Sequence, residues 1–167
     1  LAIRSVDLID VETGTIHENQ TILIEGDTIH SIGPASTLIP KGIDIINADG
    51  LFAIPGLWDA HVHFTTSPEV FGPRMIGYGV TYARDTGADT TAILNVRSQS
   101  TSPDRIMPQL FCTGAIIDGD PPVWPFSEAC DTSDDARAAV QKLHKAGVDQ
   151  IKVGLLQERP SVTSRSD

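Results

Sequence analysis

Ala53-Ile54-Pro55-Gly56-Leu57-Trp58-Asp59-Ala60-His61-Val62-His63-Phe64 is the stretch on which the reading of this chain turns. The run Leu51–His63 reads as a strand. Residues i and i+2 of a strand share a face, so His61 and His63 project into one space with Cα atoms roughly 6.8 Å apart. Two imidazoles converging at a strand end suit a borderline metal such as zinc. A histidine pair at this spacing also arises by chance, so its setting decides its weight.

Upstream, residues 1–50 read as β. Ala2–Ile9 and Thr21–Glu25 are rich in Ile, Val, Leu and Thr, with Glu12-Thr13-Gly14 as a turn between them. Gly26-Asp27 separates Thr21–Glu25 from Thr28–Ile32, a two-residue hairpin signature. Ile43–Ile46 is a further short strand, closed by Asp49-Gly50. The expected product is a small antiparallel sheet that cannot pack as a domain alone.

Downstream the pattern becomes strand, loop, helix, repeated. A helix ends near Tyr78 with Gly79 as its stop, Val80–Arg84 is a strand, and a weak helix runs from about Thr91 to Arg97. Gln109–Ile117 is the third strand. Ser133 reads as the cap of a helix whose first turn carries Asp134 and Asp135. Ala136, Ala139, Val140 and Leu143 form its apolar stripe, and Gly147 ends it. Asp149–Val153 is the fourth strand, and the polar tail Gln157–Asp167 reads as an unfinished connection. Strands alternating with helices imply a parallel sheet with right-handed crossovers. The expected class is α/β: the first half of a (β/α)8 TIM-type barrel over residues 51–167, preceded by a small β-sandwich segment over 1–50. A four-stranded open α/β sheet is the competing architecture.

Composition narrows the function. The 167 residues carry 22 acidic and 12 basic side chains, a formal charge of -10. With a pI near 4.7 and no Lys/Arg cluster, neither nucleic acid nor an anionic membrane surface is expected as a partner. No apolar run approaches the ~18 residues of a membrane span, and no signal peptide is visible before the strand-like start at Leu1, which favours the cytoplasm. Cys112 and Cys130 lack metal-type spacing; one bridge between them stays open. Asn19-Gln20-Thr21 fits a glycosylation acceptor, a pattern common by chance.

The stretch Ala53–Phe64, entered from a β-rich segment through Pro55-Gly56 and ending in His61-Val62-His63, resembles the first barrel strand of the amidohydrolase superfamily of metal-dependent hydrolases. Gly79-Val80-Thr81-Tyr82-Ala83-Arg84-Asp85-Thr86-Gly87 is similar to the second-strand signature of its imidazolonepropionase-like branch. Leu110–Gly114 resembles the third strand. Ala146-Gly147-Val148-Asp149-Gln150-Ile151-Lys152-Val153 resembles the fourth strand of the prolidase-type members. The resemblance implies His61, His63 and Lys152 as ligands of two divalent ions, zinc favoured, with manganese, iron or cobalt also compatible. It further implies that Lys152 is carboxylated by CO2, its carbamate bridging the metals.

Lys152 also stands out physically. Flanked by Ile151 and Val153, it is an ammonium group in a strand of buried type, where unpaired charge is costly. The plain alternative is a lysine snorkelling out at the strand end. An ammonium group beside two cations is repelled, whereas a carbamate is an anion that can join them. Asp85, ending the second strand, is either a support for the site or a turn group. His144 lies off its helix's apolar stripe, and His17 and His30 belong to the β-rich segment. In the loop Asp118–Thr132, Trp124 and Phe126 could wall a pocket or simply cap the strand ends.

The resemblance implies two further histidines from strands five and six and a proton-transferring Asp from strand eight, none of which can be matched after Lys152. The expected function is the N-terminal part of an amidohydrolase cleaving an amide or peptide-type C–N bond, a dipeptide or N-acyl amino acid favoured, by metal-activated water. Alone, this chain is expected to be inactive, and to associate with itself or with the missing barrel half. Two alternatives stay open: a noncatalytic truncated or split chain needing a partner, and a mononuclear deaminase-like relative, which Lys152 disfavours.

Overall fold

The computed structural model describes residues 1–154, which divide into two units, Leu1–Pro55 and the part from Gly56 onward. The tail read as a connection lies outside the described residues. In the first unit, Ala2–Ile9 forms β1, Ile16–Glu25 β2, Thr28–Pro34 β3, Ile45–Asn47 β4 and Phe52–Ala53 β5. The hairpin at Gly26-Asp27 is present, with Glu25 paired to Thr28 and Gly26 at φ 61. The sheet order is β3-β2-β1-β4, with β5 also on β1. Both β4 and β5 run parallel to β1, so this sheet is mixed where antiparallel pairing was expected. The segments between β1 and each of them are long enough to bring the chain back in the same direction. Val6, Ile22 and Ala48 form its small core.

The second unit alternates as its sequence indicates. Leu57–Val62 is β6, Pro68–Gly77 α1, Val80–Asp85 β7, Thr90–Ser100 α2, Gln109–Cys112 β8, Ile116–Asp118 β9, Glu128–Ala129 β10, Ser133–Ala146 α3 and Lys152–Val153 β11. All its strand pairs are parallel, in the orders β6-β7-β8 and β10-β9-β11.

Three strand readings need correction. The run Leu51–His63 is two strands, because Pro55 has no N–H for a ladder and Gly56 sits so close to Thr81 that a Cβ there would run into its side chain. Phe52–Ala53 therefore joins β1, while Leu57–Val62 joins β7. The third strand likewise breaks at Thr113–Ala115: β8 pairs with β7, whereas β9 pairs with β11. Gly114, at φ 64, makes this break, and a side chain there would strike Thr90. The fourth strand is shorter than Asp149–Val153, since the amides of Asp149 and Gln150 both turn to the Cys112 carbonyl instead.

Helix α3 is capped by Thr132, one residue before the expected Ser133. The Thr132 side chain accepts from the Asp135 amide while the Asp135 carboxylate takes the Thr132 N–H, a reciprocal box. The Thr132 hydroxyl, and then its N–H, donate to the Asp135 carboxylate and hold that carboxyl below its ordinary pKa. Gly147 closes the helix at φ 87. Of the expected stripe, Ala139 and Leu143 are buried against Ala115 and Ile117, but Val140 faces outward. A second core joins Phe64, Ala83, Ala88, Ile93, Leu110 and Cys112, packing α2 on the sheet. Both cysteines are free.

Candidate metal centre at the β6 and β7 strand ends

His61 lies in β6 and His63 just past its end. The strand is not regular there: Asp59 pairs with Ala83 but Val62 with Asp85, so one extra residue bulges between them. The Ala60 carbonyl, released at the bulge, accepts Arg84 Nε–H at 2.8 Å, and the same guanidinium reaches Gln150 Oε1 at 3.0 Å. The Asp59 carboxylate takes the His61 amide at 3.1 Å. The two imidazoles nevertheless come together, edge to face, with centroids 5.5 Å apart. The convergence is the one expected of residues i and i+2 of a strand, and it persists beside the bulge.

His63 Nδ1 lies 2.9 Å from the Gly87 carbonyl. A carbonyl only accepts, so Nδ1 carries the proton and Nε2 keeps its lone pair outward. Gly87 sits at φ 152, and a methyl group there would come within 2.7 Å of Ile116 Cδ1 and 3.7 Å of Phe126 Cε2. Phe126 stacks on Trp124 at 6.1 Å, so the loop between β9 and β10 lies beside the strand end that bears His63.

Asp85 is wholly buried and accepts the amides of Phe64 and, at 3.1 Å, Gly87. Its backbone carbonyl takes the Thr113 N–H, and Thr86 N–H goes to Val62, so β6, β7 and β8 are stitched together beyond their regular ends. Lys152 opens β11 opposite Ile116 and is partly buried. Among the described residues no hydrogen bond, ion pair or ring contact joins it to either imidazole, and no group of three His, Cys, Asp or Glu side chains assembles as a ready metal site. His17 and His30 lie on β2 and β3, and His144 in the exposed last turn of α3. Sequence reading left Asp85 undecided and overlooked Arg84 and Gly87 as site supports. Their signal was present in the contiguous Arg84-Asp85-Thr86-Gly87.

No family model matches the chain. Its fold is similar to that of a prolidase candidate from Bifidobacterium longum, with a TM-score of 0.82 and 25% identity, over 95% of this chain and 41% of that one. A Xaa-Pro dipeptidase crystallised with methionine in its active site superposes with a TM-score of 0.78 over 91% of this chain, at 21% identity and 46% coverage of that chain. In sequence, the adenine deaminase of Thermosipho africanus is 40% identical over 82 residues, 47% of this chain and 14% of that enzyme. A dihydroorotase of Bacillus licheniformis is 54% identical over 43 residues, 26% of this chain and 10% of that enzyme. The proteins this chain is similar to thus include prolidases, an amidohydrolase, adenine deaminases and dihydroorotases, in line with the amidohydrolase resemblance of its sequence. It spans about two fifths of the first structure's length and about a seventh of the adenine deaminases'.

Proposed function

We propose that this chain supplies the first metal-binding half of a prolidase-type amidohydrolase, which hydrolyses a dipeptide or N-acyl amino acid. On this reading the first unit contributes to a β-sandwich and the second forms strands one to four of a (β/α)8 barrel. The third of these strands is the bent pair β8 and β9. The remaining strands come from further residues of the same protein or from a partner that supplies the missing barrel half. The observation that carries the reading is the imidazole pair: two rings 5.5 Å apart, one of them held through Nδ1 by the Gly87 carbonyl.

That donor set fits a divalent ion of borderline softness, zinc before magnesium or calcium. His61 and His63 would hold it, with the Lys152 carbamate as the anionic ligand; no other carboxylate among the described residues groups with the pair. Neutral Nζ would add to the carbon of CO2: an N–C bond forms, one C=O π bond opens onto its oxygen, and an amine proton goes to solvent. When bound, a divalent cation lowers the pKa of water and polarises a scissile carbonyl. The chain's own residues orient His63 through Gly87, brace the His61 bulge through Arg84, and set Phe126 and Trp124 beside the site as an apolar wall for the substrate side chain.

A deaminase is the second reading, favoured by the sequence likeness to adenine deaminases over 82 residues. Lys152→Ala in the full-length protein separates the two. The prolidase-type reading expects metal content to fall by about half or more and activity to collapse, with partial rescue by bicarbonate plus a short carboxylic acid. Full metal occupancy and an unchanged rate would make Lys152 a snorkelling lysine and move the protein to the deaminase reading.

A further inference from the structure

We infer that Asp85 is a positioning residue for His63, clamping the backbone on both sides of the hydrogen bond that orients the ring. The inference rests on the metal-binding reading above and deepens it. Phe64, whose amide binds Asp85 Oδ2, follows His63 directly in the chain; Gly87, whose amide binds Oδ1 at 3.1 Å, owns the carbonyl that takes His63 Nδ1–H at 2.9 Å. The two ends of the His63–Gly87 link therefore hang from one carboxylate. Fixing the second ring nitrogen this way sets both the tautomer and the ring plane of a ligating histidine.

Each carboxylate oxygen takes one of the two amides, and the carboxylate has an exposure of 0%. No Lys, Arg or His ion-pairs with it among the described residues. Burying a carboxylate without a cation is costly, and two amide bonds offset only part of that cost. A metal ion held on His63 Nε2 would supply the missing positive charge. Gly87 completes the device: its φ of 152 suits glycine, and a Cβ would displace Ile116, so the carbonyl's direction is set by a backbone that only glycine fits.

The test uses the full-length protein. In the metal-free wild type, nitrogen–proton long-range NMR correlation should show His63 protonated on Nδ1, with slow exchange of the Phe64 and Gly87 amides. In Asp85→Asn, one amide meets an NH2 group instead of an oxygen, so the Nδ1–H preference should weaken. Its zinc dissociation constant, read by competition with a chromophoric chelator, should rise about 10- to 100-fold. A wild-type His63 protonated on Nε2, or an Asp85→Asn variant that keeps both tautomer and zinc affinity, overturns the proposal. Should Asp85→Asn not fold, the wild-type tautomer and amide protection decide alone. Zinc uptake indifferent to both His61→Ala and His63→Ala overturns the metal reading separately, and the metal-free tautomer still decides whether Asp85 positions the ring.

Discussion

Asp85 and Asp149 both tie neighbouring strands together through backbone amides, yet their surroundings differ. Asp85 is sealed from solvent and its carboxylate holds the amides of Phe64 and Gly87. Asp149, about 30% exposed, binds the Cys112 amide at 2.9 Å and the Arg97 guanidinium at 2.7 Å, while Arg97 also donates to the Gly147 carbonyl. The carboxylate raises the Arg97 pKa further, so that cation persists at any working pH. Asp149 is thus a compensated seam between α2, β8 and the approach to β11. Among the described residues no cation pairs with Asp85, which accepts the amide of the residue that follows His63. Charge balanced within the fold serves stability, whereas charge left unbalanced beside ligands prepares for a cation.

The largest effect expected from this contrast follows from removing the ligands. In the full-length protein, His61→Ala with His63→Ala should reduce dipeptidase and N-acyl amino acid hydrolysis to the uncatalysed rate while leaving the unfolding midpoint little changed. A large loss of stability with zinc content intact would make the pair structural. Asp149→Ala should do the reverse. It should cost about 1–2 kcal/mol, the scale of one charge-assisted bond and one amide bond at a partly exposed site, and leave zinc affinity near wild type. Equilibrium urea unfolding with parallel chelator competition would check it; loss of zinc affinity in Asp149→Ala would erase the distinction between the two carboxylates.

Thiol chemistry probes the same seam. Cys112, wholly enclosed beside Asp149, has its pKa pushed by burial from 9.0 up to about 11, whereas Cys130 is partly exposed. A raised folded-state pKa means the neutral thiol is favoured in the fold. Its contribution to stability is complete below pH 9 and is lost as pH rises through about 11. Cys130 should alkylate in the native protein at pH 8 while Cys112 stays protected until unfolding, and stability should decline between pH 9 and about 11. Cys112 alkylating as fast as Cys130 would show that the seam opens. The smallest effect belongs to the α3 cap: Thr132→Ala should cost about 1 kcal/mol by thermal unfolding, with no change in zinc affinity.

Local signals were legible where local chemistry decides the outcome. The β-branched run Ala2–Ile9, the Gly26-Asp27 hairpin, the acidic first turn of α3 and its Gly147 stop all follow from propensity, turn conformation and capping. The strand breaks were not legible, because they depend on partners distant in sequence: β5 finds β1, and β9 leaves β7's neighbourhood for β11. The same holds at the candidate site. His-Val-His announces a pair, but the hydrogen bonds around it come from Arg84, Asp85 and Gly87, all more than twenty residues away. Lys152 was singled out for its charge within an apolar strand, and β11 places it partly buried opposite Ile116.

Anomalous diffraction at the zinc edge, from crystals of the full-length protein grown with zinc and bicarbonate, addresses the central claim most directly. The expected result is an anomalous peak contacting Nε2 of both His61 and His63, with density for three additional atoms continuing from Lys152 Nζ toward the metal. A zinc-free imidazole pair, or a zinc site built from other residues with Lys152 as a bare ammonium group, would contradict it.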